Sequence, residues 1–324
     1  MNSSIAAEPV SGFTNPLVSI IIPTYRRDEA LKKAVLSVVA QTYENIEIII
    51  IDDNASPDWN KRVADIANST GTIHPIKYIR NAENKGSAET RNIGIKAATG
   101  EYISFLDDDD IYFPGKIKNQ LSYMLDEKSD YCITDLDLYD EYDRLVESRR
   151  RSYIKNRTAK DLFRYHLMYH MTGTDTMMFK RDYLLKIGGF PPINVGDEFY
   201  LIQKAIEGHG VFSYLAVCDI KAYIHTEKSG LSSGESKING ENVLYDYKKQ
   251  YFKGLAGRDI RYIKMRHHAV LAYAEKRRGR MSAAIRQGVF SFFSSPSGLI
   301  RLFLSMQFKD NNLRPGEKAE RGSC

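Results

Sequence analysis

The sequence predicts an α/β fold in which a Rossmann-like, mostly parallel sheet carries helices on both faces and is followed by a helical C-terminal extension. Two continuous apolar runs, residues 17–22 and residues 46–51, are typical of strands buried on both faces of a parallel sheet. Helical periodicity lies between them, and such alternation favours a sheet covered on both sides. From about Asn239 the pattern is again helical.

The first strand ends at Pro23, and a helix is predicted to follow it. Residues 28–41 carry apolar side chains on one helical face, at Leu31, Val35, Val38 and Val39. The second strand, residues 46–51, ends in Asp52-Asp53-Asn54. A helix over 58–67, a short strand over 76–79 and a helix over 86–98 then lead into a strand at 102–106.

Four consecutive aspartates, residues 107–110, close this last strand. In an open α/β sheet, ligands bind at the carboxyl ends of the strands. Four adjacent carboxylates repel one another unless a cation or solvent compensates them. Oxygen ligands at positions i and i+2 suit a divalent metal that carries a diphosphate. A solvated acidic turn is the alternative interpretation.

Three segments resemble the nucleotide-sugar half of inverting family 2 glycosyltransferases, enzymes of the GT-A fold. They are residues 18–27 (VSIIIPTYRR), 51–56 (IDDNAS) and 105–110 (FLDDDD). Arg91-Asn92-Ile93-Gly94 and Gly100-Glu101-Tyr102 lie at matching distances along the chain. The likeness covers about residues 16–230 and is closest to the type that builds bacterial surface polysaccharides.

The resemblance implies a donor site near the first two strand ends. Pro23 and Tyr25 belong to it, with Tyr25 stacking on the base of the donor; an ordinary turn aromatic is the alternative. Asp53 would accept a hydrogen bond from the uracil ring, helped by Asp52. Arg91 would reach the base or the phosphates from its helix, with a solvated helix-face arginine as the alternative.

The resemblance also assigns roles within the acidic run. Asp108 would lie near the ribose, and Asp109 would ligate a divalent metal, Mn²⁺ or Mg²⁺. Asp107 opens the Asp-x-Asp signature and joins the metal site, directly or through a neighbouring ligand, while Asp110 is expected to be a solvated neighbour. His225 would complete the metal or diphosphate site, since a neutral imidazole is a suitable manganese ligand. Residues 230–234 are expected to form a flexible closing loop.

The second half is expected to supply the acceptor side. A strand is predicted over residues 174–179, and Gly188-Gly189-Phe190 resembles the family's glycine-phenylalanine loop near the acceptor. Family members usually carry Glu-Asp at the start of the next helix, with the aspartate as catalytic base, whereas this chain has Asp197-Glu198. The helix register places Glu198 in the base position, with Asp197 as the second candidate. An acid pair that only favours the helix dipole is the alternative.

We expect a catalytic domain over residues 16–234, divided into a nucleotide-sugar half (16–115) and an acceptor half (116–234). Residues 235–310 are expected to be helical, basic and amphipathic. Residues 1–15 and 311–324 are expected to be disordered.

Composition limits the function classes. The chain has 324 residues and a formal net charge of +5, and its basic clusters lack the interleaved aromatics of a nucleic-acid binder. No G-x-G-x-x-G follows the first strand, and no phosphate-binding G-x-x-x-x-G-K-[ST] motif occurs. Three widely spaced cysteines and the absence of a signal-peptide pattern predict a cytoplasmic protein.

Residues 281–308 are expected to touch the cytoplasmic face of the inner membrane. The stretch from Gln287 to Ile300 has no charged residue but is too short and too polar to span a bilayer. Arginines flank it, as they do on interfacial helices. A helix packed on the catalytic domain is the alternative.

Together these observations predict transfer of a sugar from a nucleotide-sugar donor, UDP by family habit, to a hydroxyl of a saccharide or lipid-linked saccharide. The expected reaction is a metal-assisted single displacement with inversion. One alternative is a non-catalytic protein of the same fold that binds nucleotide sugars or partners, and another is a sugar nucleotidyltransferase.

Overall fold

The computed structural model describes residues 15–193, 196–224 and 235–307, with side chains described up to residue 302. His225 and the predicted closing loop at 230–234 lie outside the described residues, as do most of the N-terminal and all of the C-terminal segment predicted to be disordered. The strands are β1 Val18–Thr24, β2 Ile46–Asp52, β3 Ile76–Arg80, β4 Tyr102–Phe105, β5 Ile111–Tyr112, β6 Tyr131–Thr134, β7 Leu136–Tyr139, β8 Leu145–Arg149, β9 Met177–Lys180, β10 Phe212–Leu215 and β11 Ile220–Tyr223.

The α-helices are α1 Asp28–Val39, α2 Pro57–Ser69, α3 Gly86–Ala97, α4 Lys116–Asp126, α5 Ala159–Tyr169, α6 Arg181–Lys186, α7 Asp197–Glu207, α8 Glu235–Lys249, α9 Gly257–Arg277, α10 Met281–Ser294 and α11 Pro296–Gln307. Short 3₁₀ helices span Thr174–Thr176 and Phe252–Gly254.

The central sheet has seven strands in the order β10-β6-β9-β4-β1-β2-β3. All neighbours are parallel except β9, which runs antiparallel to both β4 and β6. The predicted α/β fold with a mostly parallel sheet is therefore confirmed. The strand predicted over 174–179 needs a correction, because its first three residues form a 3₁₀ helix and the strand begins at Met177.

Both faces of the sheet are buried, which explains the continuous apolar runs. Along β2, Ile48 and Ile50 pack with the α1 side of the core, whereas Ile49 and Ile51 pack with the α3 side. Helix α3 packs so closely on the central sheet at Gly94 that an added Cβ would lie 2.5 Å from the Ile21 side chain of β1. The strand order places the carboxyl ends of β4, β1 and β2 side by side.

A second sheet, in the order β5-β11-β7-β8, adjoins the acidic run. Strand β5 begins immediately after Asp110, and β11 pairs with it in antiparallel fashion. This pairing brings Tyr223 at the end of β11 next to Asp110. The smaller sheet therefore closes one side of the strand-end region.

The C-terminal helices pack on the acceptor half. Leu244 of α8 and Ile263 of α9 share a buried apolar cluster with Leu167 and Met168 of α5 and Phe199 of α7. Helix α10 lies along α9. Within the described residues, no helix is both long enough and apolar enough to cross a membrane. The predicted helical extension is confirmed, and the domain limits at 115/116 and 234/235 stay predictions.

Candidate functional site

The acids that follow β2 and β4 flank the end of β1, as the sequence predicts for the strand ends of a parallel sheet. Asp53 is almost fully buried. Its Oδ1 accepts hydrogen bonds from Asn81 Nδ2 and from the Lys85 backbone N–H, both at 2.8 Å, and its Oδ2 accepts one from the Gly86 N–H at 3.0 Å. Asp53 thereby holds the start of α3. Because a carboxylate can accept about four hydrogen bonds, Oδ2 retains capacity for one further donor.

Asp52 faces the other side of the sheet, so its predicted help in donor binding needs a correction. Its Oδ1 accepts from the backbone and side chain of Asn54, at 3.0 and 2.7 Å. Its Oδ2 accepts from Asn60 and from the Tyr78 hydroxyl, each at 2.7 Å. The side chain is fully buried, and its acceptor capacity is taken up by Asn54 in the loop after β2 and by Asn60 and Tyr78 on the α2 side. Successive strand residues point to opposite faces, which separates Asp52 from Asp53.

Asp108 is buried at the end of β1. Its Oδ2 accepts from the Thr24 hydroxyl at 2.8 Å and from the Tyr25 N–H at 3.2 Å, and its Oδ1 lies 3.0 Å from Arg27 Nη1. The same Arg27 nitrogen lies 2.6 Å from Asp109 Oδ2. Burial and the neighbouring Asp109 raise the pKa of Asp108 to about 6, against the opposing effect of Arg27. Arg27 is not among the predicted site residues, yet it pairs with two of the four consecutive aspartates.

Arg91 connects the two halves of the site. It is buried, with Nη2 2.6 Å from Asp107 Oδ1 and Nη1 3.1 Å from Asp197 Oδ2. Its guanidinium lies 5.4 Å from the centre of the Phe190 ring. Although burial alone would lower it, the pKa of Arg91 is raised by Asp107 and Asp197. Arg91 is therefore a buried bridge, which excludes the alternative of a solvated helix-face arginine.

The carboxylates that converge are Asp107, Asp110 and Asp175, each of which presents an oxygen within 4.8 Å of the others. Asp175 Oδ1 accepts the Asp107 N–H at 2.7 Å, and Asp110 Oδ1 accepts the Tyr223 N–H at 2.8 Å. Asp110 is buried, so its prediction as a solvated neighbour is wrong. Burial and Asp175 raise the pKa of Asp110 well above its usual range, and burial and Asp107 raise that of Asp175 to about 7.

This donor set fits a hard cation. Three carboxylates in one place repel one another, and divalent Mg²⁺ or Mn²⁺ prefers oxygen ligands. Asp107 belongs both to this group and to the predicted metal pair, whereas Asp109 pairs with Arg27. The sequence pattern does not single out Asp175, because it places that residue within a strand, whereas Asp175 lies in a 3₁₀ helix.

The two candidate bases have different surroundings. Asp197 is buried and paired with Arg91, whereas Glu198 is partly exposed and forms no ion pair with a described residue. Glu198 Oε2 accepts a hydrogen bond from the Gly173 N–H at 2.7 Å. Although Glu198 is partly exposed, the partial loss of solvent around its carboxyl group and the charge of Asp197 raise its pKa. Gly173 has φ of +124°, a conformation that side chains rarely allow, so this residue type is needed to aim the N–H at Glu198.

The remaining predicted donor residues lie at the end of β1 and just beyond it. Pro23 pairs in register with Ile51 within the sheet. Tyr25 is 42% exposed, and the Arg26 guanidinium lies 5.0 Å from its ring centre. An exposed aromatic ring beside the strand ends is available to stack on a flat ligand.

Known proteins with similar sequences align with parts of this chain. Over 233 residues, 70% of this chain, it is 41% identical to an uncharacterized glycosyltransferase of Rickettsia felis. Over 109 residues, 34% of this chain, it is 38% identical to the Escherichia coli protein WfgD, named UDP-Glc:alpha-D-GlcNAc-diphosphoundecaprenol beta-1,3-glucosyltransferase. These alignments span 36% and 41% of the two relatives, so the chain matches less than half of either protein.

Among solved structures, the fold is similar to that of Staphylococcus aureus TarS residues 1–349 in complex with UDP-GlcNAc. The TM-score is 0.56 at 17% identity, with 87% of this chain and 92% of that chain covered. At this identity the likeness concerns the fold alone. The family description "Glycosyl transferase family 2" matches residues 19–187, just over half of the chain and all of the acidic strand ends. The chain therefore belongs to glycosyl transferase family 2.

Proposed function

We propose that this chain transfers a sugar from a UDP-sugar to a hydroxyl of a saccharide that is linked through diphosphate to a lipid, with inversion at the anomeric carbon. The observation that carries the proposal is the placement of Glu198, held by the Gly173 N–H beside an Arg91 bridge to the acidic strand end. The names of WfgD and of similar relatives support the donor and acceptor class.

The proposed reaction is a single displacement. The acceptor oxygen attacks the anomeric carbon, the bond from that carbon to the donor diphosphate breaks, and Glu198 takes the proton of the acceptor hydroxyl. A raised pKa makes Glu198 a stronger base than an ordinary glutamate. Asp197 is less suited, because its Oδ2 is already engaged by Arg91. Arg91 positions Asp197 and Asp107 relative to each other across the site.

We propose that Tyr25 stacks on the donor base, that the remaining acceptor capacity of Asp53 Oδ2 binds the uracil ring, and that Asp108 lies near the ribose. Pro23 shapes the backbone between them. Asp107 and Asp109 are the proposed ligands of a divalent cation, which when bound would neutralise charge on the diphosphate; Asp110 and Asp175, whose oxygens lie within 4.8 Å of an Asp107 oxygen, could share in holding it. Arg27 would compete with that cation for Asp109, because Arg27 Nη1 lies 2.6 Å from Asp109 Oδ2. His225 stays a proposed further ligand.

The test measures UDP release and sugar transfer from UDP-glucose for Glu198→Gln, with Glu207→Gln as a matched control. Glu207 is an exposed glutamate on the same helix. Loss of a general base lowers transfer by at least about 100-fold, whereas UDP affinity and the control stay unchanged. Full transfer in Glu198→Gln would contradict the assignment and move the test to Asp197→Asn.

The same assay separates the alternatives. A non-catalytic protein of this fold would bind the UDP-sugar without releasing UDP, in wild type and variant alike. A sugar nucleotidyltransferase would produce pyrophosphate from a sugar phosphate and a nucleoside triphosphate.

We further propose that α10 contacts the cytoplasmic face of the inner membrane. Most of its apolar side chains point outward, including Ile285 at 63% exposure and Phe293 at 76%, while only Ala284 and Ser291 are buried. Arg280 precedes this helix and Arg286 lies within it, and both charges suit an anionic lipid surface.

Vesicle co-sedimentation tests this contact. Ile285→Ser with Phe293→Ser should abolish binding to vesicles with anionic lipid, and Val243→Ser, an isolated exposed apolar residue on α8, should not. Equal sedimentation of wild type and double variant would contradict the membrane contact.

A further inference from the structure

Three cations, two of them buried and one partly buried, lie where the C-terminal helices meet the acceptor half. They are Arg151, which follows β8, Lys248 of α8 and Arg266 of α9. Arg151 and Lys248 are only 3% and 4% exposed, and the Nη1 of Arg266 is buried. Over the described ranges 15–193, 196–224 and 235–302, none of the three side chains forms an ion pair with a carboxylate.

The partners of these cations are neutral. The Arg151 guanidinium donates to the carbonyl oxygens of Thr134 and Thr172. Lys248 Nζ contacts His170 Nε2 and lies 5.2 Å from the centre of the Phe199 ring. Arg266 Nη1 has no hydrogen-bond partner.

Each of these cations is attracted by a nearby carboxylate with which it forms no ion pair, and for Arg151 that carboxylate is Asp135. The carboxylate that acts on Lys248 and Arg266 is Glu241, and it lies 3.6 Å from Nδ1 of His267. Burial and the nearby Arg266 lower the pKa of Lys248 to about 7, and burial lowers that of Arg266. Burial, Arg266 and Lys248 also lower the pKa of His170 well below its usual range. Buried cations that lack a paired carboxylate are costly, and a bound anion would relieve that cost.

The cation cluster lies beside the proposed base. Residues 170–173 join the two, because Lys248 contacts His170 while the Gly173 N–H donates to Glu198 at 2.7 Å. Phe199, directly after Glu198, packs against His170 with ring centres 5.2 Å apart. His170 and Arg266 are partly exposed, so the edge of the cluster reaches solvent, whereas Lys248 and the Arg266 Nη1 lie just below that surface.

The proposed function assigns the donor diphosphate to the acidic run, which Arg91 joins to Asp197, the residue before Glu198. The cation cluster instead lies where α8 meets the acceptor half, at His170 and Phe199, so we assign an anion bound there to the acceptor. The free Nη1–H groups of Arg266, the ammonium of Lys248 and the His170 imidazole offer several donors in one place, as a diphosphate requires.

We propose that Lys248, Arg266 and His170 form a binding site for the diphosphate of the acceptor, while Arg151 supports the adjoining 170–173 segment through its hydrogen bond to the Thr172 carbonyl. This inference rests on the proposed function for the identity of the acceptor. The site makes the diphosphate a recognition element, so that the saccharide hydroxyl is presented to Glu198 while the anion is held by α8 and α9.

The first arm of the test measures binding of inorganic pyrophosphate by calorimetry, in EDTA so that no metal recruits it to the acidic run. Arg266→Gln and Lys248→Gln should each raise the Kd by about tenfold or more, because a charged contact is lost. The matched controls Lys264→Gln on α9 and Lys249→Gln on α8 replace exposed lysines and should leave the Kd unchanged. Equal Kd values in all five proteins would overturn the site.

A second arm uses the acceptor. With a lipid-linked saccharide diphosphate, both variants should raise the acceptor KM by about tenfold, while the KM for the UDP-sugar stays within about twofold. With the same saccharide as a simple glycoside lacking diphosphate, variants and wild type should perform equally. An equal loss with both acceptors would show a merely structural role and contradict the proposal.

The melting temperature supplies an independent readout. Because each variant removes an unpaired buried charge, the Tm should stay the same or rise, and a lowered Tm together with unchanged pyrophosphate affinity would overturn the inference. Pyrophosphate binding that depends on Arg266 in a protein without transfer activity would leave the site standing and refute the proposed function.

Discussion

Replacing Arg91 by methionine would remove the cation that joins Asp107 to Asp197. The variant would leave Asp197, a buried carboxylate, without its 3.1 Å partner, and Asp107 without its 2.6 Å partner. Loss of one partner of a buried ion pair costs about 3–5 kcal/mol. Because the Asp107 side chain is 33% exposed and water screens it, we expect a loss of unfolding free energy in the lower part of that range, about 3 kcal/mol.

The loss of unfolding free energy in Arg91→Met should grow as the pH rises. Arg91 now opposes the rise in the pKa of Asp197 that burial causes, so its removal raises that pKa further. A carboxyl group whose folded pKa exceeds its unfolded value of about 3.9 binds more protons in the folded state. Stability of the variant therefore falls as the pH rises above that value, and the deficit against wild type should be smaller at pH 5 than at pH 7.5.

Urea denaturation at both pH values measures this effect. Arg62→Met is the control, because Arg62 forms an exposed pair with Asp28 at 2.8 Å and its removal should cost less than about 1 kcal/mol. Adding Asp197→Asn to Arg91→Met should recover part of the loss. A deficit below about 1 kcal/mol in Arg91→Met, or one that does not change with pH, would refute the bridge as a source of stability.

Two further predictions concern packing and buried charge. Gly94→Ala should cost about 1–3 kcal/mol by chemical denaturation, because the new Cβ would lie 2.5 Å from Ile21; Gly288→Ala, with no atom within 4 Å, should stabilise its helix by up to about 1 kcal/mol. Equal effects at the two glycines would contradict the close approach of α3. Burial lowers the pKa of Lys116 to about 7. Between about pH 7 and pH 10.4 the folded protein therefore binds fewer protons than the unfolded chain, and its stability rises with pH. Lys116→Met should remove that rise between pH 7 and 9, and an unchanged pH slope would show that Lys116 is charged in the folded state.

Local patterns in the sequence predicted most of the fold. The apolar run at β2 and the helical periodicity of α1 depend on neighbouring residues, and the structure has both close to the predicted limits. The strand at 174–179 was only partly right, because Thr174–Thr176 turns in a 3₁₀ helix between Gly173 and β9. A short apolar stretch cannot by its pattern alone distinguish these conformations.

The site is built from contacts between residues far apart in the sequence, and no local pattern predicts such contacts. Arg91 meets Asp197 across 106 positions, and Asp175 meets Asp107 across 68. The acidic run was visible in the sequence, but the burial of Asp110 depends on β11 arriving from a distant part of the chain. Asp52 and Asp53 are neighbours in sequence, and only the register of β2 shows that Asp52 faces α2.

Calorimetric titration of UDP, with and without Mn²⁺, tests the donor site at the strand ends most directly. The account predicts binding to the wild type that requires Mn²⁺ and is lost in Asp109→Ala, with Asp65→Ala, an exposed aspartate on α2, as a control that binds normally. Absence of UDP binding in the wild type, or the same Mn²⁺-dependent affinity in Asp109→Ala, would contradict it.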